Sequence, residues 1–187
     1  MTAMTVATRI SAAEYLLLPE QPFKTNLIDG EVVVSEPRML HQDVLSELLV
    51  ALRLWTRAGS DRGRATPAID VLLDDENVYG PDLLWYAHER DPGRTEVRPQ
   101  PVPDLAVEIR SPSTWRYDIG TKKTRYEQYG LQELWLVDTA ADEIFVFRRS
   151  QPKAPSFDVA LQLAREDTLS SPMLPGFALS VAELFPQ

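Results

Sequence analysis

Cysteine is absent from all 187 residues, which removes disulfides, thiolate metal sites and cysteine nucleophiles from consideration. Imidazole is nearly as scarce. His41 and His88 are the only histidines, too few for a histidine-rich metal site. No run approaches the 18 or more apolar residues of a membrane helix, and Glu14 breaks the first apolar stretch, Ala12–Leu18. A cytoplasmic location is therefore expected. An excess of positive charge is lacking too: the net charge is −9 and the pI about 4.7, which argues against tight non-specific DNA binding. Several signatures are missing as well. No G-x-S-x-G elbow supports a serine hydrolase built on Ser111 or Ser113. Gly120–Thr124 lacks the G-x-x-x-x-G-K-[ST] spacing of a phosphate-binding loop, and Asp74–Glu76 lack the glycine and closing glutamate of a calcium loop.

What is present suits one α+β domain over residues 1–187, long enough to bury a sizeable core. Ser11 is positioned to cap a short helix through Leu18, ended by Pro19. Lys24–Ile28 and Glu31–Ser35 flank Asp29-Gly30, a strong hairpin signal. Leu45, Leu48, Leu49, Leu52 and Trp55 keep helical spacing and predict a helix from Met39 to Ala58, closed by Gly59. Ala68–Leu73 and Val78–Trp85 read as two strands around an acidic turn, and 87–102 as a surface loop. Glu133–Val137 and Glu143–Arg148 form a hairpin, followed by a strand near Phe157–Leu163 and a small unit at Leu174–Leu184. The expected architecture is a mixed β-sheet with flanking helices and an N-terminal β-hairpin.

Chemistry concentrates between Pro103 and Tyr126. In the strand Leu105–Ile109 one carboxylate interrupts an apolar run. Leu105, Val107 and Ile109 share one face; Ala106, Glu108 and Arg110 share the other. Glu108 is thus fixed on a stiff element. Ser-Pro-Ser-Thr stops the strand, and a helix begins near Tyr117 or Asp118. At 100° per residue from Ile119, Tyr126 falls at about −20°, Lys122 at about −60° and Tyr129 at about −80°. A lysine inside an apolar stripe is costly unless it meets a carboxylate or a ligand. Residues 88–125 hold eight basic against six acidic side chains, while the rest of the chain is at −11. That weak basic surface allows a phosphate ligand, and a solvated mixed surface equally.

Asp82 follows Pro81 at the start of its strand. If that strand neighbours the Glu108 strand, roughly 4.8 Å separates their backbones. Two carboxylates so spaced can share one hard cation at about 2.1 Å. Mg²⁺ held this way keeps waters, one of which can attack a phosphodiester. Lys122 would stabilise the developing negative charge.

The order of these pieces resembles a large bacterial family. Pro81-Asp82 comes first, then Glu108 with Ser111–Thr114, then Asp118-x-Gly120-x-Lys122-x-x-x-Tyr126, then Glu133–Asp138. Ile28–Glu31, His41-Gln42 and Leu174–Phe177 extend the likeness over nearly the whole chain. The family is that of restriction endonucleases of the Uma type, in the PD-(D/E)XK nuclease superfamily. The resemblance implies a restriction-endonuclease-like core in which Asp82 and Glu108 bind Mg²⁺ or Mn²⁺ with help from the Ile109 carbonyl, and Lys122 is the catalytic lysine. It implies DNA as the substrate. The position two after Glu108 is Arg110 rather than lysine, so the lysine must come from the following helix. A homodimer or higher homo-oligomer is expected, because cutting two strands calls for two sites.

Each residue also has a plainer reading. Lys122 sits four residues after Asp118, a favourable helical ion pair. Glu108 could pair with Arg110 or Arg116. Asp82 could be a strand-entry turn residue. Asp104, at the mouth of the Glu108 strand, is the weaker ligand candidate; Glu31 and His41 are candidates for the site's periphery. Trp115 and Tyr117 could stack on bases or simply pack. The alternative function is a catalytically silent nuclease fold that binds nucleic acid or serves in assembly.

Overall fold

The structure is a computed structural model that describes residues 9–19, 21–94 and 97–185. Helix α1 (Ala12–Leu16) begins where the Ser11 hydroxyl accepts the Glu14 N–H at 3.3 Å and the Glu14 carboxylate accepts the Ser11 N–H at 2.8 Å. This reciprocal cap satisfies donors that a helix start leaves free. Ser11→Ala is expected to cost about 1 kcal/mol, lowering Tm by roughly 2–4 °C in thermal unfolding followed by circular dichroism. The helix seats Ala12 and Tyr15 against Leu27 and Val78.

Strands β1 (Thr25–Ile28) and β2 (Glu31–Val34) pair antiparallel, with Ile28 opposite Glu31. Asp29 and Gly30 both adopt positive φ, 49° and 79°, as the tight hairpin turn requires. Helix α2 (Met39–Arg57) buries His41, Val44, Leu48, Leu52 and Trp55, with Ala58 rather than Gly59 at its C-terminal cap. Apolar residues at this spacing form one stripe, which lies on the sheet.

An unpredicted strand β3 (Arg64–Pro67) comes first, and the segment expected to hold two strands holds three: β4 (Val71–Asp74), β5 (Asn77–Tyr79) and β6 (Leu83–Tyr86). The split of Val78–Trp85 falls at Gly80-Pro81-Asp82. Pro81 has no N–H to give a ladder, and the Gly80 N–H donates to Asn26 Oδ1 at 2.9 Å instead of to a strand. The 87–102 segment is not all surface, because Gln100 is buried and bridges to Val71.

Strand β7 (Leu105–Ile109) is followed by a short helix α3 (Trp115–Tyr117), a π-helical turn Asp118–Lys122, and α4 (Lys123–Gln128). Next come β8 (Glu133–Asp138), β9 (Glu143–Arg148), β10 (Val159–Leu163), and the small pair β11 (Thr168–Leu169) and β12 (Leu179–Ser180). The main sheet runs β10-β9-β8-β7-β6-β3, and a four-stranded sheet runs β2-β1-β5-β4. In the main sheet β7 and β8 are parallel and the other neighbours antiparallel. The fold is α+β, a mixed sheet with flanking helices as the strand and helix pattern predicts, and it agrees with the restriction-endonuclease-like core that the resemblance implies.

Burial follows the strand alternation. Leu105, Val107 and Ile109 pack with α2 residues in one core, whereas Ala106 joins Tyr79, Tyr126 and Leu134 in the other. Glu108 therefore faces the second core. Among the described residues no helix is long and apolar enough to cross a membrane.

Candidate active site

Five chain segments meet at two carboxylates. Asp82 ends the corner that carries the chain from the four-stranded sheet into β6. Strand β6 pairs with β7 through Leu83 opposite Val107, so one step further sets Asp82 beside Glu108. The Ile109 N–H donates to Asp82 Oδ2 at 2.7 Å, which fixes the carboxylate and leaves Oδ1 directed at Lys24 and His41. Lys24 Nζ lies 2.5 Å from Asp82 Oδ1 and 3.7 Å from Glu108 Oε2. His41 Nε2 lies 3.3 Å from the same Asp82 oxygen, from the first turn of α2.

Glu108 is held from the other side. Its Oε1 accepts the Tyr126 hydroxyl at 2.8 Å and lies 2.5 Å from Lys122 Nζ. Lys122 also donates to Asp118 Oδ1 at 2.9 Å and stands 5.5 Å over the Tyr79 ring. Asp118 in turn accepts from Thr114 Oγ1 at 3.3 Å. The lysine is only 2% exposed; its plain reading holds, since it pairs with Asp118, but Glu108 pairs with Lys122 and not with Arg116 or with Arg110, which pairs with Asp138. The i,i+4 spacing puts Asp118 and Lys122 on one face, and the π-helical turn keeps it. Ile119, the assumed centre of the apolar stripe, is half exposed.

The electrostatics follow from burial and partners. Burial pushes the Asp82 carboxyl up, but Lys24 and His41 outweigh it and hold the group well below the usual range. Burial dominates at Glu108 and pushes it up against the pull of Lys122 and Lys24, with Asp118 and Asp82 adding to the rise. At Lys122 burial favours the neutral amine, yet Asp118 and Glu108 prevail and raise its pKa, keeping it an ammonium. Tyr126 is raised by its burial and by Glu108.

Among the described residues no set of three or more His, Asp or Glu side chains is arranged to hold a metal ion. The donors present are a carboxylate pair, Asp82 Oδ1 and Glu108 Oε2, turned toward one cation. Mg²⁺ is commonly held by one or two carboxylates and completes its shell with water and substrate oxygens. The pair fits that chemistry, and the cation between the two carboxylates in this structure is the Lys24 ammonium.

Other candidates lie elsewhere. Asp104 accepts the Ala87 N–H at 2.8 Å and pairs with Arg90, a structural post at the far end of β7. Arg98 pairs with Asp70, Arg110 with Asp138 and Arg125 with Asp29. Those pairs spend much of the basic character of 88–125 on the protein itself. Trp115 stacks under Arg110 and Tyr117 under Arg116. Glu31 sits half-buried on β2. His41 is at the carboxylate pair.

A family model described as "Uma2: Putative restriction endonuclease" matches residues 12–182. The chain belongs to the Uma2 family. A similar solved structure comes from Anabaena variabilis ATCC 29413 and is described as a putative nuclease belonging to DUF820. It superposes with a TM-score of 0.78 at 21% identity, covering 94% of this Uma2 chain and 97% of that one. At that identity the likeness concerns the fold. No curated protein matches the chain.

Sequence reasoning missed Lys24 in this Uma2 chain. It opens the predicted hairpin strand, and a lysine there is ordinary; only the contact across 58 residues to Asp82 gives it significance. Tyr126 was visible as an apolar position of the helix and as the last residue of the family pattern, with no role for its hydroxyl. Its hydroxyl could have been found from its place on the same helical face as Lys122.

Proposed function

We propose that the chain is a divalent-metal-dependent endonuclease that hydrolyses phosphodiester bonds, with DNA as its substrate. The observation that carries this reading is the convergence of Asp82 Oδ1 and Glu108 Oε2 on one cation, with a buried ammonium behind Glu108. A bound Mg²⁺ or Mn²⁺ supplies Lewis-acid activation of water and phosphate. Asp82 and Glu108 would hold it, and the Ile109 carbonyl would be a third ligand. The Ile109 amide keeps Asp82 Oδ2 occupied, and Tyr126 with Lys122 keeps Glu108 Oε1 occupied, so each carboxylate presents one oxygen in a set direction. Lys122 orients Glu108, and its field offsets negative charge gathering on the phosphate. Two copies acting together would cut both strands.

A second reading has its own observation. Lys24 fills the cation position, as it would in a silent nuclease fold serving in nucleic-acid binding or assembly. Titration calorimetry with Mn²⁺ separates the two. The enzyme is expected to bind Mn²⁺ in a manner lost on Glu108→Gln. Undetectable binding together with uncut plasmid DNA would favour the silent reading.

A further inference from the structure

Lys24 occupies a position that its surroundings make exchangeable. Its ammonium bridges the two carboxylate oxygens offered to a cation, at 2.5 Å from Asp82 and 3.7 Å from Glu108. The other charged members of the cluster, Asp82, Glu108, Asp118 and Lys122, are buried, whereas the Lys24 side chain is 20% exposed. Its backbone is anchored, since the Lys24 carbonyl accepts the Ser35 N–H at 2.8 Å; only the side chain is free to swing. It has somewhere to go: an open cavity of about 640 Å³, lined by Lys24 together with Tyr15, Phe23, Thr25, Asp70 and Gly80.

Charge balance gives the direction. Counting carboxylates and ammonium groups alone, Asp82, Glu108 and Asp118 face Lys122 and Lys24, which leaves the cluster one negative charge. A divalent ion in place of Lys24 brings it to neutrality. The ion added while Lys24 stays would leave a positive, largely buried cluster, which is unfavourable. Like charges at this separation exclude each other.

We propose that Lys24 is an exchangeable counter-ion of the Asp82–Glu108 pair: its ammonium holds the two carboxylates in the metal-free protein and withdraws into the adjoining cavity when a divalent cation binds. This rests on the metal-site reading above. It makes Lys24 and the metal competitors, so removing the ammonium tightens metal binding even though a native contact is lost. By the same linkage the metal-free protein loses a stabilising contact that metal restores.

The test is Mn²⁺ titration calorimetry on the full chain, with thermal melting in EDTA and in saturating Mn²⁺, for the wild type, Lys24→Met and Lys24→Arg. Lys24→Met is expected to bind Mn²⁺ about tenfold more tightly, to melt below the wild type in EDTA and to match it in Mn²⁺. Lys24→Arg, which keeps the charge, is expected to bind no more tightly than the wild type and to melt normally. Binding seen only in Lys24→Met means that Lys24 does not yield to the ion in the wild type, and overturns the exchange. Equal or weaker affinity in Lys24→Met overturns the exchange and leaves the metal site standing, as does equal tightening by Lys24→Arg. Absence of Mn²⁺ binding in the wild type and both variants overturns the metal-site reading along with it.

Discussion

Glu108→Gln and Asp82→Asn are each expected to reduce Mg²⁺-dependent nicking of supercoiled plasmid on the order of a thousand-fold, with the near-ultraviolet circular dichroism of the wild type retained. Geometry makes these isosteric changes severe. In Glu108→Gln, Tyr126 and Lys122 both donate to the position of Oε1, so the amide carbonyl turns that way. The new NH₂ group then points at the cation position, where Oε2 stood. In Asp82→Asn the Ile109 N–H, donating at 2.7 Å, selects the amide oxygen in the same manner. The NH₂ group again replaces the ligand oxygen. Each variant loses one negative charge and gains a donor where a metal needs an acceptor. Cutting that persists in both at wild-type rates would remove the acid pair from the chemistry.

Lys122→Met is expected to act first on stability. It leaves Glu108 and Asp118 buried without their ammonium partner, and breaking a buried pair in this way costs about 3–5 kcal/mol. Tm should fall by roughly 10 °C in a chain of this length. The pH dependence has a definite sign. Without Lys122 the Glu108 carboxyl, already pushed up by burial, rises further above its unfolded value. A raised carboxyl contributes stability that is present below its unfolded value and lost as pH rises through its folded value. The deficit of Lys122→Met relative to the wild type should therefore be larger at pH 8 than at pH 5. The same substitution in a Glu108→Gln background should cost less, because one buried charge is already gone. Denaturant unfolding at the two pH values checks both; equal deficits would mean that Lys122 does not compensate these carboxylates. The sequence invites a cleaner expectation, that removing Lys122 leaves folding intact. Its 2% exposure argues for a cost in stability instead.

Local physics fixed much of this protein in advance. Asp29-Gly30 can hardly do other than turn a hairpin, because both residues tolerate positive φ. The spacing of Val44, Leu48, Leu52 and Trp55 along α2 forces one apolar face. Alternation in β7 separates Leu105, Val107 and Ile109 from Ala106 and Glu108 whatever the sheet around it. Such rules act over a few residues and are written in the order of side chains. Pro81 could have signalled the strand break, since a residue without an N–H ends a ladder wherever it sits in one.

Tertiary structure alone decided the rest. Asp82, Glu108 and Lys122 share a neighbourhood because β6 lies beside β7 and the π-helical turn faces the same core. Strand neighbours are chosen by the whole sheet and do not follow from local periodicity; the inward face of Lys122 does, at about −60° on the helical projection, although the π turn that carries it does not. Lys24 belongs here most clearly. Nothing in residues 20–28 distinguishes it from any exposed lysine. Its place between two carboxylates arises because the hairpin packs against the corner at Gly80–Asp82, and a charge–charge contact over so long a stretch of chain exists only once the fold has closed.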